Sequence, residues 1–443
     1  MKMLYEATYM LRGHSGIPKD TAEQAKILHH YFPTSLNLGI DLNSFMLIRR
    51  FVRQNRVGDQ NILSKLFEVS PRKGNFVRFI ENVLVILETC GNLLERTPIL
   101  LHERLHGLVP EKLQQISQGD KAPLYIFPVN SKSRYLMGLL RMPVKINTEN
   151  FDLFIQQSLL PIRVSKNTRH VIRLHDVLPI TNPEFFAPSV TLLFRRMIFE
   201  ALKDKDVVWV LPTRATEREF QQLFGYELRT HVVFNAILDQ YFGDFEKKEK
   251  LILMLATIEP RKNIDLAIEG FSQAVTSGLI SKDWKLIVAG SYGWSKEKLY
   301  LDLKANAFGS QVMYFESPTD SEVEDLRERS SLTLCVSNNE GFSRPPLEGM
   351  MFGCIPVVSD IAQHRETIGD LGQYIAGKDV GSISEAIGRG VKASETATFE
   401  LRNRFRTHVL LKFSGSAIAE QWRVLFNEIG QISDAKSKEE PIL

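Results

Sequence analysis

The stretch SNNEGFSRPPLEGMMFGCIPVVSD, residues 337–360, places Glu340 and Glu348 eight residues apart, with a glycine, an arginine and two prolines between them. It joins two short apolar runs, each of the length of a buried strand. The prolines suit the first turn of a helix, which we expect to begin at about Pro346. The stretch therefore predicts a strand, a loop, a helix and a second strand, the repeating unit of a parallel sheet.

Short apolar runs alternate with longer amphipathic segments in both halves of the chain, as in βα units. Residues 40–125 instead have the pattern of a mostly helical region, and the polar segment 239–250 is typical of a linker. We therefore expect two Rossmann-like domains joined near residue 245. The predicted strands are 170–179, 206–212 and 231–237 in the first half, and 251–257, 285–291, 312–317, 332–337 and 355–360 in the second.

Composition limits the classes of protein to consider. At 443 residues the chain exceeds what one hydrophobic core usually supports, and a net charge of +3 is too weak to indicate nucleic acid. Cys90, Cys335 and Cys354 are odd in number and share no close spacing, which favours a reducing compartment over a disulfide framework or a zinc site. The chain start lacks the apolar core of a signal peptide, and no apolar run approaches the roughly 20 residues of a membrane span. We expect a cytoplasmic protein.

Polar residues that follow the predicted strands indicate an anion site. Arg261 and Lys262 stand just before a predicted helix, and residues 341–344 would present backbone N–H groups at the start of another. Glu340 and Glu348 can accept hydrogen bonds from sugar hydroxyls, while the cations and amides hold phosphates. The pattern predicts a site for a diphosphate that carries hydroxyl-rich groups at both ends.

Several motifs resemble those of family-4 (group 1) glycosyltransferases, which are retaining enzymes of the GT-B fold. The spacing Glu340-x7-Glu348 is similar to that family's signature. The matching segments are ATIEPRKNIDLAIEGF (256–271), VAGSYGW (288–294) and EGFSRPPLEGMMFGCIPVVSD (340–360), with looser matches at RLHDVLPITNPEFF (173–186) and GHSGIPKDT (13–21).

The resemblance implies an α/β fold of the GT-B type, with two Rossmann-like domains facing a central cleft. Residues 1–240 would form the acceptor-side domain, including the helical region at about 40–125. Residues 246–415 would bind the nucleotide-sugar, and residues 416–443 would form a helix that packs back on the N-terminal domain, followed by a charged tail.

The resemblance also implies roles for individual residues. Glu340 would contact hydroxyls of the transferred sugar, and His175 would lie beside the reacting centre. Glu348 would contact the ribose of the nucleotide. The implied catalytic residues are Glu340, His175 and Lys262, and the implied donor-binding residues are Arg261, Lys262, Gly341, Phe342, Ser343, Glu348 and Gly16.

No metal ligand and no cofactor beyond the nucleotide-sugar co-substrate is expected. Residues 204–206 spell Asp-Lys-Asp, similar to a metal-binding DxD motif. The triplet precedes an apolar strand rather than following one, which favours a solvated loop.

Departures from the family pattern leave two hypotheses open. Relatives have Gly-Arg where this chain has Ala256-Thr257, and a glycine where it has Ser343. The first hypothesis is a retaining glycosyltransferase that moves a sugar, mannose or a deoxyhexose, to a glycan or lipid-linked glycan acceptor in O-antigen or other surface polysaccharide synthesis. The second is a degenerate GT-B protein that binds nucleotide-sugar or glycan as a partner or regulatory subunit.

Residues 44–82 suggest a further partner. They hold eight basic residues against three acidic ones, interleaved with phenylalanines. A basic, aromatic and amphipathic stretch suits an anionic membrane surface, here the inner face of the membrane. The alternative is that the phenylalanines fill a domain core and the arginines form its solvated face. No nucleic-acid partner is expected, because no binding motif surrounds the segment.

Overall fold

A computed structural model describes most of the second half of the chain and parts of the first. The described residues are 1–7, 17–32, 36–41, 99–100, 124–127, 143–238, 245 and 248–438. The basic segment 44–82, and the membrane contact predicted for it, lie outside them. The chain forms two compact units: unit 1 comprises Met1–Leu211, Glu219–Ala236 and Ile418–Leu443, and unit 2 comprises Pro212–Arg218 and Ile237–Ala417.

Unit 1 is built on a sheet of short strands. Their bounds are β1 Met3–Glu6, β2 Leu36–Asp41, β3 Ile99–Leu100, β4 Leu124–Phe127, β5 Val144–Lys145, β6 Leu153–Gln156, β7 Ile162–Arg163, β8 Arg169–Arg173, β9 Val208–Leu211 and β10 Arg229–Val232. The main sheet has the order β10-β9-β8-β6-β1-β2-β4-β3, with parallel pairing except between β3 and β4, and β5 pairs with β7 separately. Every residue of β1, β6 and β9 is buried, as expected for parallel strands covered on both faces.

The helices that follow these strands begin where the sequence offers a starting signal. Proline occupies one of the first two positions in three of them, where its missing N–H costs no hydrogen bond. The helices are α1 Ile17–Tyr31, α2 Leu178–Thr181, α3 Pro188–Ala201 and α4 Arg214–Phe224, the last of which begins in the part of the chain that belongs to unit 2.

Unit 2 contains a six-stranded sheet in which all neighbours are parallel. Its strands are β11 Glu249–Leu255, β12 Lys285–Gly290, β13 Val312–Glu316, β14 Ser330–Cys335, β15 Ile355–Ser359 and β16 Gln373–Ile375. The order β13-β12-β11-β14-β15-β16 reverses direction between β11 and β14. In open α/β sheets the carboxyl ends of the two strands at such a reversal form the usual ligand site.

The helices of unit 2 connect these parallel strands. One of them starts with a capping box, in which the side chains of Thr319 and Glu322 each accept a hydrogen bond from the backbone N–H of the other residue. The helices of unit 2 are α5 Ile264–Thr276, α6 Glu297–Lys304, α7 Asp320–Arg329, α8 Arg344–Met351, α9 Ala362–Ile368, α10 Val380–Glu395 and α11 Phe399–Phe413.

The last helix, α12 (Gly415–Lys438), belongs to unit 1 from Ile418 onward. Trp422 on this helix is fully buried, and its indole N–H donates to Oε1 of Gln24 in α1 at 2.7 Å. Gln421 Oε1 accepts from the backbone N–H of Phe234 at 2.8 Å. Among the described helices, none is both long and apolar enough to cross a membrane.

Two of the predicted elements differ from the structure in their bounds, and a third lies mostly outside the described residues. The run 170–179 is a strand only as far as Arg173, because Asp176 accepts a hydrogen bond from the N–H of Leu178 and opens the short helix α2 instead. The few described residues of the range 40–125 are strand residues, and the helices predicted there lie outside the described part. Residues 249 and 250, assigned to the linker, begin β11.

Candidate functional site

Two loops meet at the carboxyl ends of the adjacent strands β11 and β14. The backbone N–H of Asn338 donates to the carbonyl of Arg261 at 3.0 Å. Asn263 adopts a left-handed conformation (φ 49°), and its side-chain amide donates to the carbonyl of Val336 at 2.8 Å. These contacts fix the Arg261 loop against the loop that carries Glu340.

A glycine permits the close approach of a neighbouring strand to the Arg261 loop. Gly290, at the end of β12, has φ +151°, and a Cβ atom built on it would lie 2.1 Å from the carbonyl oxygen of Ala256. Only glycine tolerates both this backbone conformation and this contact. The residue therefore helps to set the path of the chain from β11 toward Arg261.

The carboxylate of Glu340 lies between the two predicted phosphate ligands. Arg261 Nη1 is 2.5 Å from Glu340 Oε2, and Lys262 Nζ is 2.5 Å from Glu340 Oε1. Arg261 also pairs with Glu259 at 2.6 Å and donates to the carbonyl of Asn339 at 3.1 Å. Burial alone would raise the pKa of Glu340, but the charges of Arg261 and Lys262 outweigh it and hold this pKa well below its usual range. The structure thus brings three of the predicted site residues together.

Gly341, Phe342 and Ser343 connect Glu340 to α8. Ser343 stands at the N-cap with φ 67°, a left-handed conformation that non-glycine residues rarely adopt. Its hydroxyl is 2.9 Å from Nε2 of the buried His364, whose Nδ1 is 2.8 Å from the carbonyl of Ser359. Because a carbonyl oxygen can only accept a hydrogen bond, Nδ1 of His364 carries a proton. The helix α8 begins at Arg344, two residues before the predicted start at about Pro346.

Next to this histidine lies the thiol of Cys335, 3.8 Å from Nε2 of His364. Burial alone would lower the pKa of His364, but the interaction with Cys335 raises it. The pKa of Cys335 is lowered to about 7, because the contact with His364 outweighs the opposing effect of burial. The left-handed turn at Ser343 therefore rests on a buried polar cluster.

Glu348 lies in a separate ion-pair cluster. It is the fifth residue of α8, and it contacts Arg327 and Arg344. The distance from Arg344 Nη2 to Glu348 Oε1 is 3.1 Å, and the side chains of the three residues are each less than 10% exposed. The sequence motifs gave no indication of Arg327, which lies 21 residues before its partner.

A second group of side chains that the sequence did not indicate contacts the Glu340 loop. The hydroxyls of Thr213 and Thr216 lie 3.1 and 3.0 Å from the carbonyl oxygen of Gly341. The carboxylate of Glu366 accepts hydrogen bonds from the backbone N–H groups of Arg214 and Ala215, at 2.8 and 2.9 Å. These contacts lie within unit 2 and join residues about 125 to 150 positions apart in the chain.

The other two predicted site residues belong to unit 1. His175 follows the end of β8, and its Nε2 lies 3.0 Å from the carbonyl of Gln157, so this nitrogen is the protonated one. Burial lowers the pKa of His175 to about 4, which leaves the imidazole neutral at pH 7. Asp20, 3.9 Å from Nδ1 of His175, forms a 2.9 Å ion pair with the buried Arg173. Gly16 lies outside the described residues.

Beside His175, the side chain of Gln157 is fully buried. Neither of its amide atoms has a hydrogen-bond partner in the described part of the chain, nor does the hydroxyl of the neighbouring Ser158. Buried polar groups of proteins are nearly always hydrogen-bonded. The carboxyl edge of β6 therefore holds unsatisfied donors and acceptors that the sequence did not reveal.

The Asp-Lys-Asp triplet, residues 204–206, lies in an exposed turn before β9. The carboxylate of Asp204 accepts a hydrogen bond from the backbone N–H of Asp206 at 3.0 Å. Among the described residues, no group of three histidine, cysteine or acidic side chains is arranged to hold a metal ion. The triplet thus has the surroundings of a solvated loop.

Residues 240–408, which contain both glutamates and the Arg261 loop, match the family described as Glycosyl transferases group 1. Residues 240–408 are thus similar to a group 1 glycosyltransferase domain. The family resemblance predicted from the motifs is thereby confirmed.

Curated mannosyltransferases are similar to parts of the chain, which spans at most about 60% of the length of the relatives named here. The O-antigen chain mannosyltransferase B of Escherichia coli is 23% identical over 232 residues, 49% of this chain and 60% of that protein. The O-antigen chain mannosyltransferase RfbU of Salmonella typhimurium is 24% identical over 225 residues, 49% of this chain and 59% of that one. The serotype-specific mannosyltransferase WbdA of Escherichia coli matches over 136 residues, only 16% of its length.

Solved structures confirm the predicted α/β GT-B fold. HepE of Anabaena, determined in complex with UDP and glucose, superposes with a TM-score of 0.59 at 14% identity, over 97% of this chain and all of that one. The sucrose-phosphate synthase of Thermosynechococcus elongatus gives the same TM-score at 10% identity, over 98% of this chain and all of that one. At these identities the superpositions establish the fold.

Proposed function

We propose that this protein is a retaining glycosyltransferase. It moves a sugar, mannose foremost, from a nucleotide-sugar to a glycan or lipid-linked glycan acceptor in the assembly of a surface polysaccharide. The observation that carries the proposal is the cluster of Arg261, Lys262 and Glu340 at the topological switch point of a group 1 domain.

The charges of this cluster suit a diphosphate. Arg261 and Lys262 have side chains that are 18% and 12% exposed, so both cations reach solvent as well as Glu340. A bound diphosphate would take part of their hydrogen-bonding capacity and free the carboxylate of Glu340 to accept bonds from sugar hydroxyls. The amide groups of residues 341–343 and the positive end of the α8 dipole add to the attraction.

These groups act most strongly on the departing diphosphate. When the bond from the sugar to the diphosphate breaks, negative charge develops on the leaving oxygen, and preorganised cations and amides stabilise it. The retained configuration then follows if the acceptor attacks from the face that the diphosphate leaves, with a diphosphate oxygen taking the acceptor's proton. In this scheme Arg261 and Lys262 do the work that a metal ion does in other glycosyltransferases.

The remaining site residues have supporting roles in the proposal. Glu348, which Arg327 and Arg344 hold in place, contacts the ribose hydroxyls of the nucleotide in this proposal. His175 is neutral at pH 7, and its unprotonated Nδ1 can accept a hydrogen bond from a sugar hydroxyl. Mannose is favoured because the relatives that match the chain over about half its length are O-antigen mannosyltransferases.

A second candidate is a protein that binds a nucleotide-sugar without turning it over. The observation in its favour is that both cations of the site already have carboxylate partners. Glu340 pairs with Arg261 and Lys262, and Glu259 pairs with Arg261. If these ion pairs persist when the nucleotide binds, the diphosphate is held without stabilisation of the leaving group.

The test measures nucleoside diphosphate release and product formation with a panel of donors, GDP-mannose and UDP-glucose among them, and lipid-linked or soluble glycan acceptors. We expect product from one donor, and an anomeric configuration that matches the donor. Lys262→Met should lower kcat/KM by about 100-fold, as expected for loss of a preorganised cation. The matched control is Lys250→Met, which removes an exposed lysine of the same unit that pairs with Asp283, and it should change kcat/KM less than twofold.

Binding of a nucleotide without product from any donor would favour the second candidate. An inverted configuration in the product would disprove the proposed mechanism while leaving the transfer itself established.

A further inference from the structure

We infer that Thr213 and Thr216 are positioning residues that orient the peptide between Gly341 and Phe342 toward the diphosphate of the donor. The inference rests on the proposed function, because it assigns to that site two residues that none of the sequence motifs includes. Neither threonine needs to touch the substrate for this role.

The contact is formed by hydroxyls that converge on one carbonyl oxygen. Thr216 Oγ1 donates to the carbonyl of Gly341 at 3.0 Å, and Thr213 Oγ1 lies 3.1 Å from the same oxygen and 2.9 Å from Thr216 Oγ1. Both threonines are almost completely buried, with 0% and 1% of their surface exposed. This partly buried carbonyl is held in one orientation, because turning it away would leave the buried hydroxyl of Thr216 without its acceptor.

The geometry of the peptide group transmits this orientation to the opposite side. In a trans peptide the C=O and the following N–H point in opposite directions across a rigid plane. With the carbonyl of Gly341 fixed toward the threonines, the N–H of Phe342 must point away from them. Hydrogen bonds to the carbonyl also polarise the amide, which makes this N–H a stronger donor to an anion.

The segment that carries the threonines is itself anchored. The carboxylate of Glu366 accepts from the N–H groups of Arg214 and Ala215, the first two residues of α4. A carboxylate at a helix N-terminus satisfies the free N–H groups there and is favoured by the helix dipole. The start of α4 is therefore occupied by the protein's own anion, and it serves as a support for the Gly341 loop.

The two threonines can be separated experimentally because only one of them caps the helix. Thr213 Oγ1 accepts from the backbone N–H of Thr216 at 3.0 Å, which is the contact of an N-cap. Thr216 has no such role, and the only proton of its hydroxyl points to Gly341. Thr216→Val keeps the shape of the side chain and removes this hydrogen bond together with the 2.9 Å contact from Thr213 Oγ1, while the cap that Thr213 forms on the backbone N–H of residue 216 remains.

The experiment titrates wild type, Thr216→Val and Thr216→Ser with UDP, GDP and ADP in a calorimeter, and measures kcat and KM for the donor. We expect Thr216→Val to raise the Kd of the nucleoside diphosphate and the KM of the donor by about three- to tenfold, the loss of about one hydrogen bond. Thr216→Ser retains the hydroxyl and should restore both values to within about twofold of wild type.

A matched control keeps effects on folding apart from effects on binding. Thr168 is a buried threonine of unit 1 whose hydroxyl donates to the carbonyl of Thr148 at 2.8 Å, so Thr168→Val makes the same chemical change elsewhere. It should lower Tm without changing the nucleotide Kd.

If wild type binds a nucleotide and Thr216→Val binds it equally well, the inference is wrong and the proposed function stands. If Thr216→Ser is as impaired as Thr216→Val, the effect is one of packing and the inference is also wrong. If wild type binds none of the nucleotides, the inference and the proposed function fall together.

Discussion

Glu340 and Glu348 have the same side chain, stand eight residues apart and are both buried, but their partners differ. Glu340 pairs with Arg261 and Lys262, which lie in a single turn of 3₁₀ helix and keep 18% and 12% of their side chains exposed. Glu348 pairs with Arg327 and Arg344, which lie on helices and are only 7% and 9% exposed. The first carboxylate thus has partners that can turn to a ligand, and the second has partners with no access to one.

The cations that pair with Glu340 can exchange this partner for a ligand, whereas the arginines that pair with Glu348 are held in place. An ion pair whose cations reach solvent can give up a partner at low cost. A buried pair cannot, because the charge left behind has neither water nor a counter-ion. The signature spacing therefore joins two glutamates with different physical roles, and four measurements test that distinction.

The largest effect is expected from Glu340→Ala. The variant should lower kcat by about 100- to 1000-fold, because the hydroxyls of the transferred sugar lose a preorganised acceptor. The Kd of the nucleoside diphosphate, measured by calorimetry, should stay within about threefold of wild type, since Arg261 and Lys262 remain to hold it. An equal loss in nucleotide affinity would show that Glu340 acts on the nucleotide rather than on the sugar.

The next effect is on stability and compares conservative variants of the two glutamates. Glu348→Gln should lower the free energy of unfolding by about 3 kcal/mol, because it removes the negative charge with which two buried arginines pair. Glu340→Gln should cost about 1 kcal/mol, because Arg261 and Lys262 can turn to water. Urea unfolding followed by circular dichroism gives both values, and a larger loss for Glu340→Gln would contradict the proposed division.

A smaller effect is expected in the pH dependence of stability, which we assign to buried histidines of unit 1 and not to the ion pairs of the two glutamates. Burial lowers the pKa of His170 to about 3, below its value of about 6.5 in an unfolded chain. Between these values the unfolded state binds more protons, so stability is complete above pH 6.5 and falls as the pH decreases. From pH 6.5 to 5 the loss should be about 1–2 kcal/mol.

The control for this pH effect is a pair of variants. His170→Asn should make the dependence of Tm on pH in this window less steep, while the contribution of His175, whose pKa is also lowered, remains. Glu340→Gln should not, because the pKa of Glu340 lies well below the window. An unchanged slope in His170→Asn would assign the pH dependence to other groups.

The smallest effect is expected from removal of divalent metal. If Arg261 and Lys262 supply the charge that a metal would otherwise supply, exhaustive treatment with EDTA should change kcat/KM less than about twofold. Product release has to be measured separately, since a metal can speed that step alone. Complete loss of activity that manganese or magnesium restores would disprove the role assigned to the two cations.

The part of the site that could be predicted from the sequence consists of the residues that directly follow the two adjacent strands β11 and β14. Glu340 follows one strand and Arg261 another, and parallel strands end at the same edge, so their proximity follows from topology. Arg327 and the threonines could not be predicted in this way. Thr213 reaches Gly341 from 128 residues away, and Arg327 lies on a helix whose polar residues indicate only a solvated face.

The same limit explains why the predicted strand 170–179 is too long at its C-terminal end. The run 170–179 is apolar enough to be a single strand, and sequence alone does not show where its pairing ends. The strand stops at Arg173, since Asp176 bonds the N–H of Leu178 and Pro179 has no N–H to give to a neighbouring strand. His175 is consequently a residue of the carboxyl edge rather than of the strand interior.

The return of α12 to unit 1 has a consequence for the order in which the molecule is made. A ribosome releases the strands of unit 1 first, then all of unit 2, and only then Trp422, whose indole fills the interior of unit 1 and bonds Gln24. The nascent first half must wait through the synthesis of about 180 residues before its interior is complete, with apolar surface uncovered in the meantime. A gene cut after residue 240 would therefore yield a chain that aggregates, and supplying residues 415–438 as a separate peptide should restore its solubility.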